Sequence, residues 1–228
     1  MALCKRRPGV KLNQRINHTS EIGLRKSNTK EEVPTVAPPV QSDSSFMSNH
    51  FLIAMPHLRD PNFFHGVTFV CEHNENGAMG IVINRPMPEI TLGEVFEQLG
   101  LTTENQNLMQ QAVFFGGPVE RERGFVVHQP IGTWSSTLTV AEELGVTSSR
   151  DIIEALTRDE GPKRTFIALG YAGWGPGQLE KEITDNSWLS LPADPRLIFD
   201  VPIERRWEEA ARLLGIDINS ISSDVGHA

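Results

Sequence analysis

Apolar residues recur along this chain with two different periods, which predict a mixture of strands and helices. The strands are predicted at residues 51–55, 67–72, 78–84, 112–115, 124–128, 138–140, 166–172 and 196–200. Between the second and third of these, Asn76-Gly77 is the strongest short signal for a hairpin turn.

Helices are predicted where the apolar period lengthens to about 3.6 residues. Thr91-Leu-Gly-Glu94 has the pattern of a capping box and predicts a helix that continues to about Leu99. Further helices are predicted from Ser148 or Ser149 to Thr157, over Gln178–Thr184 and over Ile203–Leu214, with a helical turn over Ala141–Leu144.

The order of these elements indicates the fold class. Hairpins come first, strands and helices alternate later, and no internal repeat is visible. This order favours an α+β fold with a mixed sheet over a doubly wound Rossmann array.

Composition divides the chain at about residue 46. Residues 1–46 hold eight Lys/Arg and four Asp/Glu, whereas residues 47–228 hold thirteen and twenty-five, a net charge of −12. The first segment has too few apolar residues to offset the entropy of ordering, so we predict a disordered basic extension. An organellar transit peptide and a nucleic-acid-binding arm are alternatives, and Met47 is a plausible start of the single domain predicted over 47–228.

Charge and hydropathy restrict the classes of partner. The acidic body disfavours non-specific binding to nucleic acid or to anionic membranes. No apolar run approaches the ~20 residues of a membrane helix. Cys4 and Cys71 are the only cysteines, and Cys4 lies in the basic segment, so we expect no disulfide and a cytoplasmic location.

The most constrained stretch runs from Phe166 to Leu189. Its apolar strand leads into a turn with glycine at alternate positions, and a helix start follows, an arrangement that can gather N–H groups around an anion. The spacing does not match a dinucleotide-binding or Walker motif. Because Glu180 and Glu182 would repel a phosphate, a tight turn that lets Trp174 pack is the favoured interpretation.

Gly116-Gly-Pro118 is a second glycine turn, and the two turns would form a cleft if they met in space. The predicted cleft residues are Gly116, Gly117, Tyr171, Gly173, Trp174, Gly175, Gly177, Glu180 and Trp188.

Evidence for catalytic or metal chemistry is weak. Cys71 and His73 share a strand face without any further ligand motif, so we expect Cys71 in the core, no metal and no cofactor. A nucleophile within Ser135-Ser-Thr137 is conceivable, but no Gly-x-Ser-x-Gly elbow exists. No helix-turn-helix is apparent, and arginines at 205, 206 and 212 alternate with glutamates on a face predicted to be solvated.

Several long motifs resemble those of the AlgH/YqgE family of bacterial proteins. They are Phe51-Leu-Ile-Ala-Met-Pro56, Cys71-Glu-His-Asn-x-Asn-Gly-Ala-Met-Gly80, Phe115-Gly-Gly-Pro-Val119, Gly170-Tyr-Ala-Gly-Trp-Gly-x-Gly-Gln-Leu-Glu-x-Glu-Ile183 and Asn186-Ser-Trp-Leu189. The resemblance covers about residues 48–216. It implies a bifurcated sheet folded into a pseudo-barrel with short peripheral helices, and it supplies no catalytic residues.

Three functions are compatible with these observations. The first is a cytoplasmic, non-catalytic regulatory protein that binds a small molecule or a protein partner, which the missing catalytic signature favours. The second is a transcriptional regulator that binds DNA, a label that one family member carries and that the acidic body opposes. The third is an enzyme with an unfamiliar site near the glycine turns.

Overall fold

The computed structural model of the protein describes residues 46–216. The predicted disordered extension, apart from Phe46, and the polar residues after 216 lie outside this range.

Ten strands form the centre of the fold. They are β1 (His50–Ala54), β2 (Val67–Asn74), β3 (Gly77–Val82), β4 (Pro86–Thr91), β5 (Ala112–Phe115), β6 (Val119–Gln129), β7 (Thr137–Ala141), β8 (Leu144–Thr147), β9 (Arg164–Trp174) and β10 (Trp188–Pro192). Six α-helices surround them, namely α1 (Leu92–Gln98), α2 (Gln106–Met109), α3 (Arg150–Thr157), α4 (Gln178–Thr184), α5 (Pro195–Phe199) and α6 (Arg206–Leu213). A 3-10 turn, Ile203–Arg205, precedes α6.

Strand β9 organises the sheet because it is long enough to pair with three other strands. One of its edges pairs with β6. Its other edge pairs in parallel with β5 over residues 167–169 and antiparallel with β3 over residues 172–174, so the sheet divides there. The predicted bifurcated, mixed α+β fold is therefore confirmed.

The main hydrogen-bonded order is β10-β1-β2-β3-β9-β6-β8-β7, and β4 joins through β5. The two ends of this order do not pair, so the sheet is not closed into a barrel. It curves enough for β2 to approach β7. Its inner face buries Phe51, Phe69, Phe125 and Phe166, and α5 and α6 cover one side of this core.

Two smaller apolar clusters lie on the outer faces. Leu52, Trp174, Leu179 and Trp188 belong to the cluster beneath α4, and Phe63 from the loop after β1 joins them. The other cluster packs α1 and α3 against β5, β6 and β9 through Phe96, Ile152 and Ile167. Each strand of the divided region is thus covered on both faces.

Local sequence signals fix several elements as predicted. Asn76-Gly77 turns the β2–β3 hairpin, where the backbone of Gly77 takes a φ of 124°. At the start of α1, Thr91 Oγ1 accepts from the Glu94 N–H at 3.4 Å, and the Glu94 side chain accepts from the Thr91 N–H at 2.7 Å. This reciprocal pair is the predicted capping box.

Two predicted elements are wrong. Residues 196–200 form helix α5 in place of a strand, because Asp194 caps the Arg196 N–H and Pro195 occupies the first turn. The predicted helical turn over Ala141–Leu144 is the tight connection between β7 and β8. The apolar run Leu197-Ile-Phe199 was compatible with a strand or a helix, and Ala141-Glu-Glu-Leu144 was compatible with a helical turn or a hairpin connection.

The last helix also departs from its prediction. The α-helix starts at Arg206, after the 3-10 turn, and Arg206 is buried although we predicted an exposed face. Its guanidinium donates from Nε to the Val201 carbonyl at 3.0 Å and from Nη1 to the Ile83 carbonyl, and it lies over Phe114 and Phe166. Burial lowers the pKa of Arg206 to about 10. The arginines at 205 and 212 pair with Glu209, as expected of a solvated face.

Candidate functional site

The segment from Phe166 to Leu189 folds as β9, a glycine turn and α4, as predicted. Gly177 is the residue before α4 and adopts a left-handed conformation with φ of 70°. Gln178 folds back so that its Oε1 accepts the Gly175 N–H at 3.1 Å. The Gln178 side chain therefore already accepts a hydrogen bond from one of the backbone N–H groups that an anion would use.

Trp174 and Trp188 converge on one carboxylate. Both indole N–H groups donate to Oε2 of Glu182 at 2.9 Å, and Oε1 of the same residue accepts from Gln178 Nε2 at 2.9 Å. We call these four residues the indole–carboxylate cluster. It ties the end of β9 and the start of β10 to helix α4.

The two indoles of this cluster lie in the core. Trp174 is 6% exposed and Trp188 is 3% exposed, and the ring of Phe63 packs against both. The two indole rings therefore stabilise the segment from Phe166 to Leu189 by packing in the core. Of the predicted cleft residues, Gly175, Gly177 and Glu180 are exposed, and Tyr171 and Gly173 are half-buried.

Glu180 is held in place by a buried histidine. Its Oε1 lies 3.1 Å from His73 Nε2, and the Glu180 side chain is 45% exposed. The other ring nitrogen of His73, Nδ1, accepts the backbone N–H of Met47 at 3.0 Å, so Nε2 carries the proton and donates to Glu180. The carboxylate is thus oriented with part of its surface open to solvent.

The glycines at 116 and 117 meet β9 directly. The Gly116 N–H donates to the Leu169 carbonyl at 2.8 Å, and the Val82 N–H donates to the Gly116 carbonyl at 2.9 Å. A Cβ on Gly117 would lie 2.2 Å from the carbonyl carbon of Tyr171. Backbone fills the space between this turn and Tyr171, and whether either turn binds a ligand stays a prediction.

Two of the hydroxyl groups considered as nucleophiles, those of Ser135 and Thr137, are hydrogen-bonded to other residues of the protein. His128 Nδ1 lies 3.0 Å from the Pro130 carbonyl, which can only accept, so Nε2 accepts the Thr147 hydroxyl at 2.8 Å. Thr147 Oγ1 also lies 2.7 Å from Thr137 Oγ1. His128 and Thr147 are both fully buried, so this histidine–hydroxyl chain cannot contact a substrate without opening the sheet. Ser135 Oγ donates to Asp151 instead.

We expect His128 to make folding stability depend on pH. Burial lowers the pKa of His128, despite the opposing hydrogen bond to Pro130. The unfolded chain therefore binds more protons once the pH falls below the ordinary histidine pKa of about 6.5, and stability must fall with it. Between pH about 7.5 and 5.5, the free energy of unfolding measured with urea should fall less for His128→Gln than for the wild type.

The exposed His57 provides the control, since His57→Gln should leave the slope unchanged. Part of the pH dependence of the unfolding free energy will remain in His128→Gln, because burial and the nearby Arg85 also lower the pKa of His65. Identical slopes in the wild type and His128→Gln would contradict the assignment.

Sequence patterns did not predict an open polar groove of about 630 Å³ on the opposite part of β9. Its lining residues are Asn105, Asn107, Leu108, Gln111, Leu156, Asp159, Gly161, Pro162, Lys163, Arg164, Thr165, Phe199 and Asp200. They come from α2, the α3–β9 connection and α5, so only the tertiary structure brings them together.

Most charged groups of the groove already have partners. Arg164 bonds to Asp200 and to Gln129, and Asn105 Nδ2 donates to Asp159 Oδ1 at 3.0 Å. Lys163 is the exception, since it has no ion pair or hydrogen bond within residues 46–216. The groove therefore offers one cation beside amide and hydroxyl groups.

The described residues contain no group of three or more His, Cys, Asp or Glu side chains arranged to hold a metal ion. Cys71 lies in the core as predicted, and burial raises the pKa of its thiol. Over the same residues, every helix is too short or too polar to span a membrane.

These features define an α+β protein with a divided sheet whose buried indole and histidine side chains are hydrogen-bonded to other residues of the protein. The family model described as AlgH-like matches residues 51–219. The chain belongs to this AlgH-like family, which confirms the resemblance noted in its motifs.

Relatives of similar length support the assignment. A UPF0301 protein of Nitrosococcus oceani is 53% identical over 80% of this chain and 97% of its own length. One from Thioalkalivibrio sulfidiphilus is 56% identical over 81% and 98%.

Solved structures agree with the fold. The solution structure of the AlgH protein from Pseudomonas aeruginosa has a TM-score of 0.68 at 46% identity, covering 82% of this chain and 99% of that one. The crystal structure of the protein DIP2367 from Corynebacterium diphtheriae, at 20% identity and a TM-score of 0.59, shows likeness of fold alone.

Proposed function

We propose that this chain is a non-catalytic regulatory protein of the cytoplasm that acts by binding a small polar ligand or a polar segment of a protein partner. The observation that carries the proposal is the polar groove with Lys163, which has no partner within residues 46–216. Its volume of about 630 Å³ lies in the range usual for ligand sites. A lysine without a partner is available to an anionic group at little desolvation cost.

The state of the reactive side chains supports a non-catalytic role. The histidine–hydroxyl chain at His128 is sealed in the sheet, and the indole–carboxylate cluster is saturated by its own hydrogen bonds. General acid–base or nucleophilic catalysis needs such a group within reach of the substrate. The buried free thiol of Cys71 is compatible with a reducing compartment.

The solvent-facing rim of the glycine turn is a second part of this proposal. Gly175, Gly177 and Glu180 are exposed, and His73 fixes the Glu180 carboxylate. A fixed carboxylate beside exposed backbone is suited to a cationic or hydrogen-bond-donating group of a partner. The groove presents the ammonium group of Lys163 and the rim presents the carboxylate of Glu180, so ligands of opposite charge distinguish the two sites.

Native mass spectrometry of the full chain tests the proposal. We expect the protein to retain a small molecule or a protein partner from its native host. Lys163→Gln should reduce the retained fraction of an anionic ligand by about tenfold, the loss of one charged contact. If the ligand binds at the glycine-turn rim, Glu180→Ala should reduce the retained fraction and Lys163→Gln should not.

Arg158→Gln is the matched control, because Arg158 is an exposed cation paired with Glu160 and does not line the groove. Unchanged retention in both Lys163→Gln and Glu180→Ala would contradict both sites. A sequence-specific gel shift at micromolar protein would favour the transcriptional alternative, and turnover of the retained molecule would favour an enzyme.

A further inference from the structure

Three rings stack in a column beside the β1–β2 connection. The ring centroids of Phe64 and His65 are 3.9 Å apart, those of His65 and Trp207 are 4.0 Å apart, and each pair is inclined by 19°. Two near-parallel rings this close to His65 must lie on its opposite faces. His65 is therefore the middle ring, and we call the three residues the ring column.

The two ends of the ring column differ in exposure. Trp207 is the buried end, and its Nε1 donates to the Ala54 carbonyl at 2.9 Å. Phe64 is the outer end and is 44% exposed. Because His65 stacks on one face of the Phe64 ring, the other face is the one left for a ligand.

The backbone fixes the orientation of the outer ring. His65 adopts a left-handed conformation with φ of 53°, and Asn84 holds it by donating from Nδ2 to the His65 carbonyl at 2.8 Å. The amide oxygen of Asn84 accepts the Val67 N–H at 2.9 Å. A ring that is already ordered loses little entropy when a ligand stacks on it.

A guanidinium group adjoins the column. Arg85 Nη2 donates to the Phe64 carbonyl, while Arg85 Nε is buried and has no hydrogen-bond partner within residues 46–216. Arg85 also forms no ion pair with a described carboxylate. Burial lowers the pKa of Arg85, and the nearby Asp60 opposes this only in part. The Oδ1 of Asp60 accepts two hydrogen bonds from Asn62. The buried Nε cannot meet a ligand, so the group left for an anion is Nη1, which has no hydrogen-bond partner within residues 46–216.

We propose that the ring column and Arg85 bind a mononucleotide, with the base stacked on the outer face of Phe64 and the phosphate paired with Arg85. Stacking on an ordered aromatic ring supplies affinity for a planar heteroaromatic base. The guanidinium is the side chain best suited to phosphate. The two groups are joined through the Phe64 backbone, so one ligand of nucleotide size can contact both. This site is separate from the polar groove and the glycine-turn rim.

NMR titration of the full-length ¹⁵N-labelled protein with AMP tests the site. We expect saturable shifts at the amides of residues 64–66 and 85. Phe64→Leu keeps the apolar bulk but removes the π-face, and it should weaken AMP binding by about tenfold. Leu213→Ala, which alters another exposed apolar residue, should leave the affinity unchanged.

Two fragments separate the contributions of base and phosphate. Adenosine should bind about tenfold more weakly than AMP to the wild type, and Arg85→Gln should bind AMP and adenosine equally. Ribose 5-phosphate should not displace AMP. If Arg85→Gln fails to fold, the comparison of AMP with adenosine on the wild type still tests the phosphate contact.

Equal affinity of AMP and adenosine, unchanged binding in Phe64→Leu, or shifts confined to the polar groove would each overturn this site. None of these results bears on retention of a ligand by Lys163 or Glu180, so this proposal and the proposed function can fail separately.

Discussion

Gly117→Ala should destabilise the fold by about 3 kcal/mol or more. The added Cβ would lie 2.2 Å from the Tyr171 carbonyl carbon and 2.4 Å from the Ala172 nitrogen. Both atoms belong to the central strand β9 and cannot rotate away. The φ of 153° at Gly117 adds strain that a residue with a side chain must bear.

Urea unfolding followed by circular dichroism measures this change. Gly124→Ala is the matched control, because Gly124 lies on the neighbouring strand β6 and its Cβ would meet nothing within 4 Å. We expect the control to stay within about 1 kcal/mol of the wild type. A comparable loss in both variants would show that the close approach to Tyr171 does not set the stability.

Glu182→Ala should cost about 2–4 kcal/mol of unfolding free energy. The substitution removes the acceptor of two indole N–H groups, and each largely buried donor left unpaired costs about 1–3 kcal/mol. Glu182→Gln should recover part of the loss, because one amide oxygen can still accept from both indoles. Tryptophan fluorescence should shift to longer wavelength as Trp174 and Trp188 gain contact with water.

Glu208→Ala is the control for this experiment, since Glu208 is an exposed helical glutamate. It should change stability by less than about 0.5 kcal/mol. Equal stabilities for Glu182→Ala and Glu208→Ala would mean that the indole–carboxylate cluster contributes no stabilisation.

Turn and capping motifs in the sequence were sufficient to predict the elements that begin or end at them. Asn76-Gly77 fixes the β2–β3 turn, and Thr91 with Glu94 fixes the start of α1. These signals act within a few residues, so they operate identically in any fold that contains them.

Short apolar runs could not be assigned in the same way. Three consecutive apolar residues from Leu197 suit a strand or a helix, and the cap at Asp194 decided for α5. Strands β4 and β10 escaped prediction because each pairs along one edge only, and their sequences contain prolines. Pairing with a distant strand, which the pattern does not contain, makes them strands.

In the candidate site, too, the contacts between distant residues could not be predicted from the sequence. The sequence singled out Trp174, Trp188 and Glu180, but it assigned Glu182 only a repulsive role toward phosphate. A carboxylate eight residues after one tryptophan and six before another was the signal available for the cluster. The groove and the ring column carried no signal, because their residues are separated by up to about 140 positions along the chain.

The sequence by itself determined the α+β class, the β2–β3 hairpin, the capping box of α1 and membership of the AlgH-like family, because each depends on residues close together in the chain. Tertiary structure alone decided that Arg206 is buried and that Glu182 accepts from both indoles. It also decided that Lys163 and Arg85 lack carboxylate partners among residues 46–216. These outcomes depend on long-range pairing around β9, which sets the desolvation and the hydrogen-bond partners of each side chain.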